Sequence, residues 1–232
     1  MKYAGRELDL FSRAKNWNVY FSSRVSPFIG HCILEVGAGI GRNIQSLHND
    51  TVETWISLEP DPELAARINE EIRKGDLPKT CRVFVGTLSD IPLDSYFDTI
   101  LYIDVLEHIE DDAGEVIRAS RHLVRGGHLI VLAPAHRFLF SPFDSAIGHH
   151  RRYNGSSLRS ISPKDCVIKE LFMLDSVGLL ASLANRVALR KSIPSKNQVA
   201  FWDGVLVPLS RLLDPVTRFK IGKTIVVVWS RQ

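Results

Sequence analysis

Apolar residues along this chain fall into short continuous runs separated by segments of helical period. Cys32, Ile33, Leu34 and Val36 make one run of strand length, and Gly37, Gly39 and Gly41 follow it without a spacer. The run reads as a buried strand, and the glycines as a turn whose backbone can approach a ligand closely. A helix over about 42–48 comes next and would aim its free N–H groups at that ligand. Residues 54–58 form a second strand that stops at Glu59-Pro60-Asp61-Pro62. There Asp61 as N-cap and Pro62 at the first helical position start a helix that runs to about residue 74. Strands over 82–85 and 97–103 follow, the latter after a turn at 92–95. A helix over 112–124, closed by Gly126-Gly127, leads to a fifth strand over 128–133. Five strands alternating with helices predict a parallel, doubly wound sheet with its ligand at the strands' carboxyl ends.

The two ends depart from this alternation. Leu8, Phe11, Ala14, Tyr20 and Phe21, with Trp17 close by, have approximately helical spacing, so one or two helices precede the first strand and could cap the pocket. Beyond Pro134 the pattern loosens: strands are expected over 166–173 and 224–230, and helices over 179–190 and 201–213. In the last helix Phe201, Trp202, Val205, Leu206, Leu209, Leu212 and Leu213 make an apolar stripe interrupted by Gly204 and Pro208. Such a stripe is expected as core or as a lid. No internal repeat or low-complexity linker divides the chain, and 232 residues suit one large domain.

Composition narrows the class of protein only slightly. Apolar residues are 45% and charged residues 24%, ordinary for a globular protein. No run approaches the 18 to 20 apolar residues of a spanning helix or forms a signal peptide, so a cytoplasmic location is expected. Cys32, Cys81 and Cys166 contain no CxxC pair, so neither a disulfide framework nor a metal site is expected. The net charge of +3 hides an uneven split: residues 1–150 carry 15 basic and 21 acidic groups, residues 151–232 carry 14 and 5. Arg186, Arg190, Lys191, Lys196, Arg211, Arg218 and Lys220 belong to that basic end, and beside the apolar stripe they allow peripheral contact with an anionic membrane.

Spacing within the glycine turn separates two nucleotide chemistries. A dinucleotide site wants a third glycine at position 42, where Arg42 stands, so a nicotinamide-dependent oxidoreductase is disfavoured. Glu59, at the end of the second strand, can accept hydrogen bonds from both hydroxyls of a ribose, or it can be an acid at a helix N-terminus. The sequence Glu35-x-Gly37-x-Gly39-x-Gly41 resembles the first motif of the class I S-adenosylmethionine-dependent methyltransferases. Residues 97–108, Phe-Asp-Thr-Ile-Leu-Tyr-Ile-Asp-Val-Leu-Glu-His, resemble the strand-four motif of that family. The run Phe143-Asp144, then Gly148-His149-His150-Arg151-Arg152-Tyr153, is similar to a bacterial subgroup of the type 11/12 methyltransferases.

This resemblance implies a Rossmann-like class I methyltransferase fold, a seven-stranded, mainly parallel sheet with an antiparallel last strand. It divides residues 1–232, as a single domain, into an N-terminal helical cap (1–30), a cofactor-binding core (31–135) and an acceptor-side segment (136–232). S-adenosyl-L-methionine is the implied cofactor and S-adenosyl-L-homocysteine its product. Glu35, Gly37, Ala38, Gly39 and Gly41 would hold the methionine half, Glu59 and Pro60 the ribose, Thr87 and Leu88 the adenine, and Asp104 and Val105 the methionine end. Families often have an acid at the position of Thr87, so Asp90 competes for the adenine. His108, His136 and His149 are candidate general bases, since an unperturbed imidazole titrates near neutrality. Asp144, His149, His150, Arg151, Arg152 and Tyr153 suit an anionic or polyhydroxylated acceptor, or else a salt-bridged loop that closes the domain.

The expected reaction is O- or N-methylation of a small-molecule or glycoconjugate acceptor. Adenine or cytosine methylation of DNA is disfavoured, and no DNA partner is expected, because Asp104-Val105-Leu106-Glu107 is not the Asp/Asn-Pro-Pro-aromatic tetrad of amino-methylating nucleic-acid enzymes. RNA methylation is disfavoured because no RNA-binding motif is appended. A non-catalytic S-adenosylmethionine-binding subunit is the remaining alternative.

Overall fold

Strand β1 (Cys32–Val36) is buried at four of its five positions, which requires cover on both faces of the sheet. A computed structural model, describing residues 7–188 and 195–232, provides that cover. Helices α1 (Glu7–Phe11) and α2 (Lys15–Val25) precede β1, and α3 (Arg42–Leu47) follows the glycine turn. Next come β2 (Thr54–Glu59), α4 (Pro62–Lys74), β3 (Cys81–Val85), β4 (Phe97–Ile103), α5 (Asp112–Arg121) and β5 (Leu123–Pro134). The remainder is α6 (Pro142–Ala146), α7 (Gly155–Ser160), β6 (Cys166–Leu174), α8 (Ser176–Ala188), α9 (Lys196–Phe201), a π-helical turn at Trp202–Leu206, α10 (Val207–Leu213) and β7 (Thr224–Arg231).

The seven strands lie in the order β3-β2-β1-β4-β5-β7-β6. Strands β1 to β5 pair in parallel, whereas β7 is antiparallel to both β5 and β6. Strand order reverses between β1 and β4, which places a crevice at their carboxyl ends, between the glycine turn and Asp104. Buried residues form one cluster around Trp17, Phe21, Trp55 and Leu101 and another around Tyr102, Val131, Tyr153 and Trp229, one on each side of the sheet.

Three expectations are corrected. Helix α5 ends at Arg121, not at 124, and Gly126-Gly127 is no helix cap. Leu123 is fully buried and already pairs with Phe97, while Thr99 pairs with His128, so residues 124–127 bulge out of the ladder. Gly126 takes φ +79°, and a Cβ on Gly127 would lie 3.0 Å from the Asp98 carbonyl. The glycine pair therefore serves a bulge.

Most of the apolar stripe of the last helices is not core, although Trp202 packs against the core beside Phe11 and Trp17. Phe201, Val205, Leu209, Leu212 and Leu213 are exposed. Facing inward are Val199, Asp203, Val207, Ser210 and Asp214, at the same helical spacing. Asp203 accepts from the Trp17 N–H at 2.8 Å, and Asp214 from the Tyr20 hydroxyl at 2.7 Å and the Asp175 N–H at 2.8 Å. Hydrogen bonding of these aspartates fixes the helix with its polar side inward. The helix expected over 179–190 is α8; residues 189–194 and the Arg186 side chain lie outside the described residues, as do residues 1–6.

Candidate active site

The glycine turn is shaped by contacts that admit little else. Gly37 and Ala38 donate to the Leu58 carbonyl at 2.7 and 3.2 Å, and Gly41, with φ +77°, caps α3. A Cβ on Gly37 would sit 2.6 Å from a Val105 methyl, so the turn and the loop after β4 touch directly. Around Gly39, in contrast, a Cβ would meet, among the described residues, only Leu8 of α1, at 3.5 Å. The first helix thus covers the turn, and Asp9 ties it to Arg67 of α4 at 2.8 Å.

Glu35 points into the interior, where it accepts from Asn43 Nδ2 at 2.7 Å and Trp55 Nε1 at 3.1 Å. Burial raises its pKa to about 7 against the lowering effect of those two bonds. Glu59 is 4% exposed, and its two oxygens accept from the Gly39 N–H at 2.7 Å and the Asp61 N–H at 2.9 Å. Burial raises its pKa as well. Because each carboxylate oxygen has two lone pairs, both retain one acceptor position. Pro60 joins Glu59 to the N-cap Asp61. After β3, Thr87 is exposed and Leu88 buried; Asp90 accepts from the Thr87 N–H and hydroxyl at 2.8 and 3.0 Å, so Asp90 holds Thr87 in place.

At the tips of β4 and β5, Asp104 and His136 take positive φ angles of 54° and 66°. Such conformations are uncommon for non-glycine residues and collect at functional sites. Asp104 is exposed to solvent yet walled by protein: the surrounding low-dielectric mass raises its pKa to about 6, against the charges of His149, Lys223 and Arg152. His136 donates through Nε2 to the Gly222 carbonyl at 2.9 Å. His108 is hydrogen-bonded to the Gly148 backbone, and burial lowers its pKa to about 4. The near-neutral titration expected of His108 is thereby lost.

The loop from 136 to 153 closes over these tips. Asp144, with no exposed surface, receives the Ser141 N–H and hydroxyl, His149 Nδ1 at 3.0 Å, and Arg152 Nε and Nη2 at 2.8 and 3.0 Å. Burial pushes its pKa up, but the bonds from His149 and Arg152 and the Arg152 charge hold the carboxyl well below its usual range. Arg151 pairs with Asp112 at 2.6 Å, Tyr153 is buried with its hydroxyl on Asp112 at 2.8 Å, and His150 is exposed. Asp144, Arg151, Arg152 and Tyr153 therefore all have partners within the protein. His149 Nδ1 meets the Asp144 carboxylate at 3.0 Å, and its Nε2 faces Glu107 Oε1 at 3.8 Å. Glu107 was not singled out from the sequence, although it adjoins His108; only the three-dimensional structure shows it fully buried.

A cleft of about 250 Å³, lined by Gly30, His31, Asp98 and Arg125 to His128, lies at the opposite, amino end of the strands.

The model of the methyltransferase domain family matches residues 34–131, the span from β1 to β5. A relative named "probable S-adenosylmethionine-dependent methyltransferase", from Mycolicibacterium smegmatis, is 29% identical over 136 residues, 57% of this chain and 50% of the relative. The chain thus spans about half the length of the curated relative it matches. Among solved structures, a geranyl diphosphate methyltransferase in complex with S-adenosylmethionine has a TM-score of 0.68 at 12% identity, covering 98% of this chain and 91% of that one. A methyltransferase solved with its Haloferax volcanii activator has a TM-score of 0.64 at 14% identity, covering 98% and 94%. At these identities the structural likeness concerns the fold.

Proposed function

We propose, from the premise that residues 34–131 belong to the class I S-adenosylmethionine-dependent methyltransferases, that this chain transfers the cofactor's methyl group to an oxygen or nitrogen of a small-molecule or glycoconjugate acceptor. The observation that carries this reading is the meeting of three features at one end of the sheet: the glycine turn, Glu59 at the tip of β2, and the solvent-reached Asp104 at the tip of β4. Gly37, Ala38, Gly39 and Gly41 line the methionine half, with Val105 packed behind Gly37. Glu35 positions the turn through Asn43 and Trp55. Glu59 and Pro60 meet the ribose, Thr87 and Leu88 the adenine, and Asp104 the methionine end.

The cofactor supplies an electrophilic methyl carbon on a sulfonium, so the protein's main task is alignment, which can contribute about 7–11 kcal/mol. An acceptor hydroxyl must also lose its proton. Of the three imidazoles, His149 is the best oriented, because Asp144 fixes its tautomer and leaves Nε2 as the accepting atom. His108 is too weak a base, and His136 has Nε2 engaged. Arg151, Arg152, Asp144 and Tyr153 hold the loop, while His149 and the exposed His150 are presented to the acceptor.

The outward apolar face favours an acceptor at a membrane surface. Phe201, Val205, Leu209, Leu212 and Val216 are exposed beside exposed Arg211, Arg218 and Lys220, while the neighbouring Asp203 and Asp214 are buried. Apolar contact plus unopposed positive charge fits an anionic lipid surface. Mass spectrometry of the purified protein for co-eluting S-adenosyl compounds, with thermal-shift titrations of S-adenosylhomocysteine and NAD, tests the cofactor reading. Stabilisation by S-adenosylhomocysteine alone is expected; stabilisation by NAD alone would overturn it.

A further inference from the structure

Glu107 presents a problem that the methyl-transfer reading leaves open. Its side chain is fully buried, and neither carboxylate oxygen has a hydrogen-bond partner in any other of the described residues. A carboxyl group so placed, in either protonation state, costs free energy unless something else meets it. Two further carboxylates, Asp104 and Asp144, act on it electrostatically, with Arg152 opposing them. Such surroundings call for a cation.

Two imidazoles complete the arrangement. Ligand atoms of Glu107, His108 and His149 all lie within 4.8 Å of one another, and the two rings meet edge to face with centroids 4.5 Å apart. His149 Nδ1 is held by the buried Asp144 carboxylate, the outer-shell arrangement that orients a metal-binding imidazole and frees Nε2 for the ion. His108 is held by the Gly148 backbone. Nε2 of His149 stands 3.8 Å from Glu107 Oε1. Ligand distances of about 2.0–2.2 Å around a tetrahedral ion separate two ligand atoms by roughly 3.4 Å, so a shift of a few tenths of an ångström closes that edge.

We infer that Glu107, His108 and His149 form a site for one first-row divalent transition ion of the zinc or ferrous class, with Asp144 orienting His149. Two imidazoles and one carboxylate favour such an ion over magnesium, which prefers oxygen ligands and water. Three protein ligands leave a coordination position open. This placement deepens the proposed function and rests on it for the ion's role: an acceptor oxygen bound there would have its pKa lowered and would release its proton to solvent, with His149 Nε2 acting as ligand in place of proton acceptor. Occupancy itself does not depend on that reading.

Cobalt(II) titration of tag-free, chelator-treated protein, followed by visible absorption, tests the site directly. One equivalent should develop ligand-field bands that zinc abolishes and magnesium leaves unchanged. Glu107→Gln, which preserves shape, and His149→Ala should each weaken cobalt binding at least tenfold while S-adenosylhomocysteine affinity stays within about threefold. Absent bands in folded wild-type protein, or bands unchanged in Glu107→Gln, His108→Ala and His149→Ala, would overturn the site. Loss of S-adenosylhomocysteine binding in wild-type protein that still binds cobalt would instead count against the methyltransferase reading alone.

Discussion

Asp144 offers the sharpest energetic test of the loop that closes the acceptor side. Its carboxylate is fully buried and receives five donors at 2.7 to 3.0 Å, two from Ser141, one from His149 and two from Arg152. Asp144→Asn keeps the shape but replaces one acceptor oxygen by an amide that faces donors. The Arg152 side chain, only 14% exposed, then loses its counter-charge. Removing one partner from a buried pair costs about 3–5 kcal/mol, because the other charge stays desolvated. For a chain of this length that corresponds to a fall in Tm of roughly 6–20 °C. Urea unfolding of Asp144→Asn, Arg152→Met and the double variant Asp144→Asn/Arg152→Met measures the pair. The double variant should be less destabilised than the two single losses added together, since no charge is stranded. The sign with pH follows from the depressed carboxyl: its contribution is present above about pH 3.8, the unfolded value, and disappears as pH falls through the lower folded value. A cost under about 1 kcal/mol for Asp144→Asn, typical of an exposed pair, would refute the reasoning.

Glu35 should give the opposite pH dependence. Its folded pKa of about 7 lies above 4.5, so its contribution is present at low pH and lost as pH rises through 7, a change of at most about 3 kcal/mol. Relative to wild type, Glu35→Gln should therefore become progressively more stable between pH 5 and 8 in urea titrations, and a pH-independent difference would contradict the assignment. At the outward helix face, Leu209→Asp with Leu212→Asp should leave solubility and Tm unchanged, because both residues are exposed, but abolish flotation with anionic vesicles. No flotation of the wild-type protein at low salt would remove the membrane reading.

The strand pattern was legible because buried parallel strands need continuous apolar runs, as in Ile33–Leu34 and Ile100–Leu101. The Asp61-Pro62 helix start was legible because capping is local chemistry, and Asp61 indeed accepts from Glu63 N at 2.8 Å. Gly126-Gly127 misled because a bulge and a helix cap both need a glycine at positive φ. Only the pairing of Thr99 with His128 distinguishes them. The last helices misled because an apolar stripe implies burial only when no polar face has stronger claims. Asp203, Ser210 and Asp214 find partners on α2 and around Asp175, more than 30 residues away in sequence. Glu107 escaped for a similar reason: its neighbour His149 lies 42 positions along the chain, and burial of a carboxyl cannot be read from adjacent residues. The Gly-His-His-Arg-Arg-Tyr run was visible as chemistry, but its division into loop anchors and presented imidazoles required the structure.

Glu59 bears most directly on the central claim, that an adenosine-containing cofactor lies between the glycine turn and the tips of β2 and β4. Both its oxygens keep a lone pair beyond the Gly39 and Asp61 N–H groups, and two ribose hydroxyls would use them. Hydrogen bonds to a charged group contribute about 1.5–3 kcal/mol each, so losing one corresponds to at least tenfold in affinity. Calorimetric titration of S-adenosylhomocysteine into wild-type protein and Glu59→Gln, with circular dichroism to verify the fold, is the measurement. Tenfold or weaker binding by a folded variant, with NAD silent against both proteins, is the predicted result. Equal affinity in the two proteins, or no binding by the wild type, would contradict the account.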